Sequence, residues 1–248
     1  GGKWDEYGPR RGYPPFLKDA IDSGMAEGIP WSEYNVKWVM AGEVFSEEWR
    51  SLVGERVGAT QPCFDSASLY GTADAGVLGN ETPLSICIRR WLAEHPDAAR
   101  QLFGESRLPT LVQYDPRSRF FEVREGTLLF SGDNGIPLVR YHIADTGGIV
   151  SYASMLAFLA DWGFNPLAAL HGEMDEVRGV RPLPFVYVFG RLQFTISYFG
   201  ANIYPENVTV GLEQSPICEW VTGKFVMQAI EDSDLNRVLS IVVELAPG

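Results

Sequence analysis

Four short stretches rich in β-branched and aromatic residues follow one another between residues 110 and 141: Thr110 to Tyr114, Arg119 to Val123, Thr127 to Phe130 and Leu138 to Tyr141. They are separated only by Asp115-Pro116-Arg117-Ser118, Glu125-Gly126 and Asp133-Asn134-Gly135. Connections this short, built from Asp, Pro, Gly and Asn, reverse the chain rather than carry it across a sheet. The spacing therefore predicts an antiparallel meander, with Asp133-Asn134-Gly135 as a hairpin turn rather than a metal loop.

The chain before the meander differs in kind. Residues 1 to 15 read as an entering loop, and residues 16 to 27 as a helix closed by Gly28 and Pro30. Val36 to Met40 reads as a short buried strand, and Ser46 caps a helix with Glu47, Glu48 and Trp49 in its first turn. A strand from Cys63 to Tyr70 empties into the small polar loop Gly71 to Gly76, and residues 83 to 103 are helical with a break near Pro96. After the meander come a helix at 153 to 162, a charged loop at 171 to 184 and a strand from Phe185 to Phe189. A helix near 206 to 213 and strands Lys224 to Ile230 and Val238 to Leu245 then suggest a smaller α+β unit beginning near Gly190. The expected division is 1–189 and 190–248.

The end of the meander carries the first candidate chemistry. Pro137 to Asp145 is an extended run that delivers Arg140, Tyr141 and Asp145 to a strand end, ahead of the Thr146-Gly147-Gly148 break. A carboxylate fixed there accepts hydrogen bonds from two adjacent hydroxyls, which is how a ribose is gripped. The same residues also fit an ordinary strand-end ion pair beside a turn carboxylate.

Composition narrows the partners. A net charge of -12 and only four lysines exclude a nucleic-acid surface and an anionic membrane as bulk partners. Cys63, Cys87 and Cys218 are odd in number and far apart, so neither a disulfide framework nor a zinc site is expected, and a reducing cytoplasm fits best. No apolar run reaches 18 residues and no leader opens the chain, so neither a membrane span nor a signal peptide is expected. His95, His142 and His171 are scattered without paired spacing, the Glu173 to Glu176 cluster reads as a solvated loop, and five tryptophans, from Trp31 to Trp162, read as core or interface.

Three strand-end stretches stand in order: Tyr70-Gly71-Thr72-Ala73-Asp74; Arg140 to Asp145; and Gly190-Arg191-Leu192-Gln193 followed by Gly200-Ala201-Asn202-Ile203-Tyr204-Pro205-Glu206. Together they resemble the adenylate-forming enzymes, and within them the phenylacetate-CoA ligase branch; Val39-Met40-Ala41-Gly42-Glu43 resembles an earlier glycine-glutamate turn of the same family. The resemblance implies an α/β and α+β mixed fold: the later part of a large adenylate-binding domain, with sheet, helices and meander, followed by the start of a small α+β domain. It also implies roles. Tyr70 would stack on adenine, Gly71 and Thr72 would lie by the nucleotide, Asp74 would help hold Mg²⁺, and Asp145 would take both ribose hydroxyls. Arg191 would contact ribose or phosphate at the hinge, and Asp74 and Arg191 would serve catalysis. The implied cofactors are ATP, Mg²⁺ and coenzyme A, and the implied substrate is a small carboxylic acid.

The departures from the family pattern are Asp74 for glutamate, His142 and Ile143 for arginine and threonine, Ala144 for glycine, and Gln193 for the hinge aspartate. No stretch supplies the family's Ser/Thr/Gly-rich phosphate loop, and Lys224, the only lysine after position 37, follows the hinge too soon to be its C-terminal lysine. With no initiator Met before Gly1, the chain reads as an internal fragment that by itself adenylates nothing. Two alternatives stay open: a fold that kept its pocket and lost catalysis, and acyl transfer to a carrier protein or an amine instead of coenzyme A.

Overall fold

The structure, a computed structural model, describes residues 10–12, 14–42, 44–105, 107–133, 135–173, 180–191, 196–198, 201–231 and 237–246. Nine strands among them form one mixed sheet: β1 (Arg10–Gly12), β2 (Trp38–Ala41), β3 (Ser66–Thr72), β4 (Gly76–Asn80), β5 (Thr110–Gln113), β6 (Arg119–Arg124), β7 (Thr127–Asp133), β8 (Pro137–Val150) and β9 (Phe185–Arg191). Their order is β1-β2-β3-β4-β5-β9-β8-β7-β6. The first three strands are parallel and the remaining pairs antiparallel. Helices α1 (Pro14–Ala26) and α2 (Glu47–Val57) make the two crossovers that a parallel arrangement requires. The remaining helices of this part are α3 (Pro83–Glu94), α4 (Pro96–Phe103), α5 (Tyr152–Asp161) and α6 (Pro166–Glu173).

The meander is three strands, not four. β6, β7 and β8 pair in sequence, but β5 lies across the sheet and pairs with β9, residue Val112 opposite Val186. β9 explains the difference, because Phe185-Val186-Tyr187-Val188-Phe189 is apolar on both faces and belongs in the middle of a covered sheet. Phe185 and Phe189 join Ile86, Ile88, Leu92, Met155 and Leu159 on one side, while Val186 and Val188 join Tyr70, Leu78, Phe121 and Phe130 on the other. A third cluster, including Trp38, Met40, Trp49 and Val53, fills the space around α1 and α2.

The expected end of β8 at the Thr146-Gly147-Gly148 break is also corrected. The strand continues to Val150, and its ladders with β7 and β9 shift register around residues 143 to 147 instead of ending there. Gly147 permits this, because an added Cβ would stand 2.0 Å from the Tyr187 carbonyl oxygen on β9. Gly147→Ala is expected to lower stability by about 1–3 kcal/mol through forced strand separation. An unchanged urea midpoint would show that β8 and β9 are not in such close approach.

Smaller corrections follow from the same tertiary pairing. Residues 10–12 of the expected entering loop form an edge strand beside β2. The expected loop from Gly71 to Gly76 is a hairpin in which β3 turns at Ala73–Ala75 and returns as β4. Beyond β9 come a two-stranded pair, β10 (Ile196–Tyr198) with β11 (Ala201–Ile203), then helices α7 (Pro205–Leu212) and α8 (Ser215–Cys218), and the antiparallel pair β12 (Val221–Glu231) with β13 (Arg237–Leu245). No helix among the described residues is long and apolar enough to cross a membrane.

Behind the sheet lies a buried quartet of charges. Arg50 on α2 donates to Glu47 at 2.9 Å, to the Ser66 hydroxyl at 2.6 Å and to both oxygens of Glu81 at 2.8 and 2.9 Å. Arg89 on α3 also bonds Glu47, and it donates to the Pro109 carbonyl at 2.8 Å. Burial would raise the Glu47 carboxyl, but the Arg50 and Arg89 charges overcome it and hold the group below its ordinary value. The Arg50 guanidinium, which burial alone would weaken, is held above its ordinary value by Glu47 and Glu81. Glu47, anticipated as a first-turn acid facing the helix dipole, is thus a structural anion.

Candidate functional site

A cleft of about 840 Å³ opens where the ends of β3, β8 and β9 meet α7 and β12. Tyr70 and Gly71 of β3, Asp145 of β8, Gly190 of β9, Glu206 of α7 and Lys224 of β12 all line it. Of the residues expected from the sequence, Tyr70, Gly71 and Asp145 are therefore brought together.

Asp145 owes its place to an irregular backbone. Ala144 has φ 63°, in the left-handed region that disfavours a side chain, and two ladder irregularities flank it. Asp145 is only 6% exposed, and the Tyr70 hydroxyl donates to its Oδ2 at 2.8 Å. Opposite Asp145 in the ladder stands Arg191, whose backbone belongs to β9 and whose side chain lies outside the described residues.

Thr72 and Asp74 are placed differently. The Thr72 hydroxyl accepts from the Ala75 backbone N–H at 3.0 Å and so closes the β3–β4 turn. The Asp74 carboxylate accepts from the Tyr141 hydroxyl. Neither residue lines the cleft, and among the described residues no group of three or more His, Cys, Asp and Glu is arranged to hold a metal ion. A lone carboxylate suits only an ion that draws its remaining ligands from water and phosphate, as Mg²⁺ does. His142, within the same motif, faces the Thr127 hydroxyl at 3.0 Å. Glu43, Asn134, residues 174–179 and Leu192 to Thr195, Gln193 included, lie outside the described residues, as does Gly200.

Two cationic groups stand at the cleft or beside it: Arg107, which had no sequence signal of its own, and Lys224, noted in the sequence only as following the expected hinge too soon for a C-terminal lysine. Arg107, ahead of β5, donates to the Phe189 carbonyl at 3.1 Å and to Glu206 at 3.1 Å, and its guanidinium lies over the rings of Phe189 and Tyr204 at 4.5 and 3.8 Å. It joins the end of β9 to the start of α7. Burial pushes the Glu206 carboxyl up, only partly opposed by Arg107. Lys224 reaches the cleft from β12 and pairs with Asp19 of α1 at 3.0 Å and Glu244 of β13 at 2.9 Å.

Chemically, the cleft is lined by a buried carboxylate residue beside a phenol, and by a lysine that is paired with two carboxylates. That combination suits a polyhydroxylated ligand bearing an anionic tail.

No protein-family model matches the chain, and no curated protein sequence matches it. Solved structures do. The amide bond synthetase McbA from Marinactinospora thermotolerans superposes with a TM-score of 0.51 at 16% identity, over 96% of this chain and 42% of that one. A structure from work on the fatty acyl-adenylate ligases of E. coli and L. pneumophila gives a TM-score of 0.51 at 15% identity, over 95% and 42%. The chain thus spans about two fifths of the length of these structures, and at such identity the common property is the fold.

Proposed function

We propose that this chain, which has the fold of the adenylate-forming enzymes, is the ribose-gripping part of an enzyme that activates a small carboxylic acid with ATP. In that reaction a carboxylate oxygen attacks the α-phosphorus and pyrophosphate leaves; a thiol, that of coenzyme A, then attacks the acyl carbon and AMP leaves. The observation that carries the reading is the buried Asp145, which lines a cleft of nucleotide size and accepts from a neighbouring hydroxyl.

Asp145 accepts the two ribose hydroxyls, and the recess that excludes water strengthens both bonds. Arg191, on the resemblance, would contact ribose or phosphate at the join to the C-terminal unit. Mg²⁺, with Asp74 as its protein ligand, would neutralise charge on the departing pyrophosphate. The division at about residue 190, a phenylacetate-CoA ligase-like specificity and a cytoplasmic setting belong to the same reading. A binding protein without catalysis is the second reading, favoured by the engagement of Thr72 and Asp74 in local hydrogen bonds.

Calorimetric titration of ATP tests the proposal. Asp145→Ala is expected to weaken binding at least about tenfold, the effect of losing one charge-assisted hydrogen bond of roughly 1.5–3 kcal/mol. Equal affinities for the wild-type protein and the variant would sink it.

A further inference from the structure

Strand order separates β3 from β8 by four steps, roughly 19 Å at the usual spacing of about 4.8 Å between strands. Yet the Tyr70 hydroxyl on β3 stands 2.8 Å from Asp145 on β8. The two side chains together cannot span that width, so the sheet curls, and the cleft lies within the curl. The sheet's narrowest seam allows this: β4 and β5 meet through one residue pair, Asn80 opposite Gln113.

Tyr70 has the setting of a strut. It is 8% exposed and belongs to the cluster of Val112, Phe121 and Phe130, with its ring stacked on Phe121 at 6.3 Å and 28°. Packing on this scale fixes the ring, and the ring fixes the direction of the O–H. The Asp145 carboxylate turns about two side-chain torsions, and the Tyr70 hydroxyl restrains both through Oδ2.

We propose that Tyr70 is a positioning residue: its hydroxyl holds the Asp145 carboxylate in the plane that recognises both ribose hydroxyls, and so sets selectivity for ribonucleotides over deoxynucleotides. The inference rests on the ribose-gripping role given to Asp145 above. It differs from an adenine-stacking role, because stacking needs the ring alone and selection at the ribose needs the oxygen.

The test titrates ATP, 2′-deoxy-ATP and 3′-deoxy-ATP against the wild-type protein and Tyr70→Phe, which keeps the ring in its cluster. The wild-type protein is expected to prefer ATP about tenfold over either deoxynucleotide, an effect of the size of one hydrogen bond to a charged group. Tyr70→Phe is expected to bind ATP several-fold more weakly, bind both deoxynucleotides nearly as the wild type does, and discriminate less than about threefold. An equal loss for all three ligands would assign the Tyr70 hydroxyl to structure rather than selection and overturn the inference. Unchanged discrimination would overturn it as well. Asp145→Asn, which retains an oxygen to accept from Tyr70 but alters the other position, provides a second reading: discrimination at the wild-type level would show that the carboxylate plane does not select. Failure of the wild-type protein to bind any of the three would remove the ribose grip itself, a result read without any variant.

Discussion

Arg50→Met is expected to destabilise the protein by about 3–5 kcal/mol in urea unfolding, a large part of the roughly 5–15 kcal/mol that holds a typical domain folded. The reason is not the strength of the ion pairs but what the substitution leaves behind. Glu81 is 3% exposed and would retain the Ser68 backbone N–H at 2.7 Å, while losing two bonds from the guanidinium; Glu47 would retain Arg89. A buried carboxylate without its cation carries its desolvation cost uncompensated. Adding Glu81→Gln to Arg50→Met is therefore expected to recover part of the loss, giving a double variant less damaged than the sum of the two single ones. A loss below about 1 kcal/mol for Arg50→Met would show that the quartet is hydrated and not a closed unit.

The second large effect concerns pH. Glu213, at the C-terminal end of α7, is 8% exposed and accepts from the Ser46 backbone N–H at the start of α2, at 3.1 Å. Burial pushes its carboxyl up to about 7, against the opposing pull of the Ser46 hydrogen bonds and Arg89, and with a further push from Glu48. The folded state therefore holds a proton that the unfolded chain, with an ordinary value of 4.5, releases. Its contribution to stability is fully present below about pH 4.5 and is lost as pH rises through about 7. At 1.36 kcal/mol per pKa unit the whole change is about 3 kcal/mol. Glu213→Gln accepts the same backbone hydrogen bond without titrating, so the difference in stability between the variant and the wild type should grow in the variant's favour from pH 5 to pH 8. Parallel pH profiles would rule out Glu213 as the titrating contact.

How much of this was legible in the sequence depended on which interactions decide each feature. β9 was readable because burial on both faces leaves an unbroken apolar run, and the α2 start because Ser46 caps it locally, its hydroxyl accepting from the Trp49 N–H at 3.0 Å. The convergence of Tyr70, Gly71 and Asp145 on one cleft was readable because all three stand in strand-end stretches; the left-handed backbone at Ala144 was not, because a β-bulge is decided by both neighbouring strands. The extension of β8 through Thr146-Gly147-Gly148 was not readable, since glycines that mark a break in one context permit close strand approach in another. β1, α6 and α8 are short and held by tertiary neighbours rather than by their own periodicity. The charged quartet was hidden for the same reason. Arg50 and Glu81 are 31 residues apart, and nothing local marks either as inward-facing.

The central position of β9 has a consequence for how the molecule comes into being. Strands β1 to β5 and β6 to β8 are all made before residue 150, yet neither group can join the other until residues 185 to 191 arrive between them. At a synthesis rate of roughly 5–20 residues per second, the β8 edge waits about 2–8 seconds for β9 and the β5 edge about 4–16 seconds. During that interval they present Leu111, Val112, Ile149 and Val150 to any other strand, which is where mispairing would begin. The Tyr70–Asp145 hydrogen bond reaches from one group to the other, so this contact is acquired late. A nascent chain halted before residue 185 would carry both of its residues and still lack the bond.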